Sequence, residues 1–137
     1  MKRKVAAIDG NGRGLCIEEE MPDLGAGEVL VEVRASLISP GSELGWVKKL
    51  RAEPEPARKP RPFGYTNAGI VAEVGVGVTQ FRPGERVACM GGGYALHADW
   101  AVVPQNLCVT VPEGVSFDVA ASVHLAATGL HAVRRTE

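Results

Sequence analysis

The chain has 137 residues, 45% of them hydrophobic, and 15 basic against 16 acidic side chains leave a net charge of −1. That length fits one domain with a real core, and the near-neutral balance supplies no field for nucleic acid or an anionic membrane. No apolar run approaches the ~20 residues that span a bilayer, and no apolar stretch follows the charged start as in a signal peptide, so the expected setting is the cytoplasm.

Lys2-Arg3-Lys4 reads as the solvated start of a first strand over Lys4 to Asp9. Leu15 to Glu20 is its expected hairpin partner across the glycine-rich turn Gly10-Asn11-Gly12-Arg13-Gly14. No helix follows that turn to aim amide N–H groups at a phosphate, so it is read as a turn. Val29 to Ala35 is a strand, broken by Ser39-Pro40-Gly41-Ser42. Ser42 is a candidate N-cap for a short helix near Glu43 to Leu50, with Glu43 in the favourable first turn. Residues 53 to 62 hold four prolines and read as a surface loop. Its basic run Arg58-Lys59-Pro60-Arg61-Pro62 is either solvated or a rim that attracts a phosphate-bearing substrate.

Ala68 to Val74, Arg86 to Met90, Ala98 to Val103 and Cys108 to Val111 are further short strands, separated by glycine and proline turns. Strands at this spacing favour a small barrel or sandwich. From Phe117 to Arg135 the period changes to that of a helix, with Ser116 as N-cap and two arginines at the end. Cys16, Cys89 and Cys108 are far apart in the chain and odd in number. They make neither a disulfide framework nor a CxxC knuckle, and reduced, buried thiols are expected.

Six segments in order carry a resemblance. They are Gly27-Glu28-Val29-Leu30-Val31, Ser39 to Glu43, Gly64 to Gly75, Gly84-Glu85-Arg86-Val87, Gly93-Tyr94-Ala95 with Val102-Val103-Pro104, and Ala126-Ala127-Thr128-Gly129-Leu130. Together they resemble the substrate-side domain of the medium-chain dehydrogenase/reductase superfamily. That superfamily includes zinc alcohol dehydrogenases and zinc-free quinone and enoyl reductases. The resemblance implies a mainly β fold: a GroES-like, partly open β-barrel with short helices and a C-terminal helix, over residues 1–137. It also implies a Rossmann domain, expected beyond Glu137, that binds NAD or NADP. Hydride would pass to or from a carbonyl, alcohol or activated alkene in the full-length parent. This chain alone is expected to hold no cofactor and to be catalytically silent.

The family's zinc ligands depart from pattern here. Pro40 stands where a cysteine ligand belongs, Tyr65 replaces the ligand histidine and Thr66 the glutamate after it, and His124 alone matches the third ligand position. The four cysteines of the structural zinc lobe have no counterpart. No metal is therefore expected, since a tetrahedral catalytic zinc needs three protein ligands.

The resemblance points to Ser42, Tyr65, His124 and Glu43 as catalytic candidates. Ser42 matches a proton-relaying hydroxyl, or is a helix cap. Tyr65 would donate a proton, or fill the volume of the lost metal. Glu43 would accept from Tyr65, or serve as a first-turn charge. His124 would transfer a proton near neutral pH, or bond within the core. Thr128 would lie against the nicotinamide, and Trp46 would wall the substrate cleft or anchor its helix. His97 and His131 read as structural. Expected partners are a small-molecule substrate, the Rossmann domain and a possible second copy, with no nucleic acid or membrane. The competing reading is a standalone GroES-like module for protein interaction or assembly.

Overall fold

The computed structural model describes residues 1–136. The chain forms β1 (Lys2–Ile8), β2 (Gly14–Glu20), β3 (Glu28–Ser36), α1 (Ser42–Ala52), β4 (Arg61–Pro62), β5 (Thr66–Val74), β6 (Arg86–Met90), β7 (Trp100–Pro104), β8 (Cys108–Thr110), α2 (Phe117–Ala120) and α3 (Val123–Arg134). Two antiparallel sheets result, with strand orders β2-β1-β4 and β7-β3-β5-β6-β8. A lone bridge between Val5 and Ala98 joins the smaller sheet to the segment that enters β7. No barrel closes among the described residues, so the fold is mainly β and partly open.

Alternation explains the central strands. Val29, Val31, Val71, Val87, Ala101 and Val103 turn one face of the large sheet into a core with Phe81, Cys89 and Cys108. On the opposite face Ala68 and Ala88 pack with Val111, Ala120 and Ala121. The small residues there let α2 sit close to the sheet. Ile8, Val47 and Leu50 form a third cluster, with Trp46 and Phe63 beside it, and this cluster seats α1 on the small sheet.

The hairpin expected at the N-terminus is present: Lys2 pairs with Glu20 and Ile8 with Gly14. Its turn is set by the Asp9 carboxylate, which accepts from the Asn11 and Arg13 amides at 2.8 Å each. The Arg13 amide, first among its partners, holds the Asp9 carboxyl below its ordinary range.

Three expectations change. The loop 53–62 contains β4, a two-residue strand in which Pro62 pairs with Ala7 and Arg61 with Ile8. The strand expected from Ala98 starts at Trp100. The helical period from Phe117 to Arg135 is interrupted between α2 and α3. At that break the Thr66 hydroxyl, from 55 positions earlier, donates to the Ala121 carbonyl at 2.7 Å. Ser116 does cap α2, accepting from the Val119 amide.

Candidate functional site

The site is built where α1, the β4–β5 link and the loop before β7 meet. Gly64 makes this meeting possible. Its φ of +126° lies outside the usual L-residue regions, and a Cβ there would run into the backbone of Leu96 and His97. With no side chain at 64, the His97 amide donates to the Phe63 carbonyl at 3.1 Å and the Ala6 amide to the His97 carbonyl at 2.8 Å. The loop is thereby knitted between β1 and the β4–β5 link.

That packing delivers His97 to Glu43, 54 positions earlier. The imidazole Nε2 lies 3.1 Å from Glu43 Oε1, and Nδ1 lies 2.9 Å from the Ser36 hydroxyl. The other carboxylate oxygen, Oε2, accepts from the Ser39 amide at 2.7 Å. Glu43 and His97 are both buried. An ionised carboxylate only accepts, so against it Nε2 carries the proton and donates; the Ser36 hydroxyl then donates to Nδ1 in the neutral ring. The Phe63 ring meets the imidazole edge to face at 4.8 Å.

The expected partnership between Glu43 and Tyr65 is thus corrected. Glu43 spends its oxygens on Ser39 and His97, while the Tyr65 ring meets the His124 ring edge to face at 5.6 Å. Ser42 is corrected as well: it is the first residue of α1, Gly41 stands at the cap position, and no side chain caps that end. The Glu43 carboxylate on the Ser39 amide does the anchoring there.

Ser42, Glu43, Trp46 and Tyr65 line one open cleft of about 760 Å³, together with Arg61 and the Arg3–Glu19 pair. Arg3 binds Glu19 through Nε at 2.9 Å and Nη2 at 2.6 Å. Arg58, from the basic loop, places its guanidinium 5.0 Å from the centre of the Trp46 ring. His124 lines a separate cavity of about 140 Å³ and reaches the large cleft only through its contact with Tyr65. Thr128 lies one turn further along α3, exposed, with its hydroxyl donating to the His124 carbonyl at 2.9 Å. The structure therefore gathers four of the six candidate residues in one cleft and leaves two on α3. His97 and Ser36 complete the arrangement. A histidine two residues before an aspartate at a strand entry carries no signal of a carboxylate 54 positions away, so only the fold reveals them.

The positions that match the family's catalytic zinc ligands hold Pro40, Tyr65 and His124. Pro40 has no donor atom, Tyr65 and His124 pack ring against ring, and no group of three or more His, Cys, Asp or Glu side chains is arranged for a metal among the described residues.

The sequence profile of the alcohol dehydrogenase GroES-like domain matches residues 25–113, and the chain belongs to that family, within the medium-chain dehydrogenase/reductase superfamily. It is 31% identical over 142 residues to an L-idonate 5-dehydrogenase of Vitis vinifera, covering 84% of this chain and 38% of that protein. It is 30% identical over 160 residues to a sorbitol dehydrogenase of Bacillus subtilis, covering 96% of this chain and 45% of that protein. The galactitol-1-phosphate dehydrogenase of Escherichia coli shares the fold with a TM-score of 0.77 at 23% identity, over 94% of this chain and 44% of that one. The chain thus spans less than half the length of these relatives.

Proposed function

We propose that residues 1–137 form the substrate-side domain of an NAD(P)-dependent, zinc-independent oxidoreductase. In the complete protein a Rossmann domain would supply the nucleotide site. The observation that carries this reading is the convergence of Ser42, Glu43, Trp46 and Tyr65 on one cleft. A nicotinamide, when bound, supplies or accepts the hydride. The residues of this chain handle what remains: binding, orientation and the proton.

Tyr65 is the proposed acid. Tyr65 lines the cleft, and a phenol donor there polarises a substrate carbonyl and gives it a proton as hydride arrives. In the oxidative direction the same oxygen takes the proton back. Ser42 is the second hydroxyl at hand, held in place by the Glu43 anchor one residue on. His124 backs the Tyr65 ring and fixes its orientation. Trp46 offers an apolar wall for the substrate's carbon skeleton, and Thr128 faces the nucleotide side. The L-idonate and sorbitol dehydrogenases among the relatives make polyhydroxylated substrates the first to test.

The exposed face of α3 supports a second domain. Val123, Leu130 and Val133 are 40%, 53% and 59% exposed, and α3 has no buried residue. A neighbouring domain covers such a face. A standalone assembly module would cover it with another copy instead, and sedimentation of the chain separates the two: dimers or larger at high concentration favour the module, a monomer favours the oxidoreductase. The mechanism is tested by Tyr65→Phe in the two-domain protein. Turnover falls by about 10²–10⁴ if the phenol is the acid; unchanged turnover reduces Tyr65 to packing.

A further inference from the structure

We propose that Cys89 and Cys108 form an oxidative modification site, at which hydrogen peroxide joins the two thiols in a cross-strand cystine. The two residues are direct register partners of β6 and β8. Opposed residues of an antiparallel pair have Cα atoms about 4.5–5.5 Å apart, within the roughly 4.4–6.8 Å that a disulfide spans. Their sulfurs already lie 3.6 Å apart, with the Cys108 thiol donating to Cys89. Both are buried; the Cys108 thiol also lies 3.5 Å from the Pro104 carbonyl oxygen, and each sulfur has the other as its nearest thiol. Cys16, on β2, is exposed.

A small cavity lies beside Cys89, beneath α3. Cys89 lines it with Met90, Leu107, Val109, Val123 and His124, and its volume of about 140 Å³ admits an oxidant of a few atoms. A bulky disulfide such as that of glutathione does not fit. The hydrogen-bonded pairing with Cys108, together with burial, pushes the Cys89 thiol well above its ordinary range. Thiolate is therefore scarce, and the pair stays reduced until peroxide is abundant.

The chemistry balances in two steps. Cys89 sulfur attacks one peroxide oxygen; the O–O bond breaks, water leaves, and a sulfenic acid forms. Cys108 sulfur then attacks Cys89 sulfur; the S–O bond breaks, the S–S bond forms, and a second water carries off the thiol proton and hydroxyl. Two electrons pass from the sulfurs to the peroxide. The product links β6 to β8 at the wall of the cavity that His124 also lines.

The test uses the full chain with Cys16→Ser, which removes the exposed thiol. The folded protein is treated with hydrogen peroxide, digested without reduction and analysed by mass spectrometry. The expected result is one peptide pair linked through Cys89 and Cys108, lighter than the separate peptides by two hydrogens and released by dithiothreitol. In Cys16→Ser/Cys108→Ser the sulfenic acid at Cys89 persists and is trapped by a dimedone-type nucleophile. Two thiols still free after treatment overturn the proposal. So does conversion of Cys89 to sulfinic acid while Cys108 remains a thiol.

Discussion

Glu43 shows how one side chain can hold a site together. It satisfies the Ser39 amide and His97 from a buried position, so Glu43→Ala leaves two buried donors without partners. The expected loss is about 3 kcal/mol of unfolding free energy, measured by urea titration. Glu43→Gln keeps an acceptor for Ser39 and loses less. A double-mutant cycle with His97→Ala should give a coupling of roughly 1–3 kcal/mol, and strict additivity would contradict the pairing. Asp9 makes a pH prediction. Its folded carboxyl is depressed, so its contribution is present above the unfolded value of about 4 and is lost as pH falls through the lower folded value. The melting-temperature gap between wild type and Asp9→Asn should be constant near pH 7 and shrink below about pH 4. At this scale Glu43, Tyr65 and Ser42 were legible as candidates, because they fall at motif positions. Their partners were not. The motif assigned Tyr65 to Glu43, whereas the approach that Gly64 permits brings in His97 instead.

The strands were legible because alternating valines and alanines carry their own period, and β6 occupies Arg86 to Met90 as that pattern predicts. β4 was not, since two residues, one of them a proline, have no period; only their pairing with Ala7 and Ile8 makes them a strand. The terminal helix was half legible. Its apolar spacing continues through the break and carries no sign of the tertiary contact found there, Thr66 to the Ala121 carbonyl. Thr66→Val keeps the shape and strands that carbonyl, at an expected cost of about 1–3 kcal/mol. Ser116→Ala removes the cap of α2 and should cost about 1 kcal/mol. Both are read as shifts of the denaturation midpoint, and a Thr66→Val midpoint equal to wild type would contradict a stabilising role for that contact.

At the scale of the molecule, two open sheets hold a cleft on one side and an apolar helix face, α3, on another. The family was legible from six short segments in order, none decisive alone, and its profile covers residues 25–113. Pro40 and Tyr65, which stand where zinc members carry ligands, are the ground for the proposed zinc independence, because a ligand set fails as soon as its donor atoms are gone. Zinc added to the chain should therefore leave its melting temperature unchanged, since a ligand that does not bind the native state adds no stability. The most direct test of the account is NAD(P)H-linked turnover by the protein that carries residues 1–137 joined to a nucleotide-binding domain, assayed after exhaustive chelation. Turnover that survives chelation and does not rise with added zinc is the predicted result; turnover that vanishes on chelation and returns with one zinc per chain would contradict it.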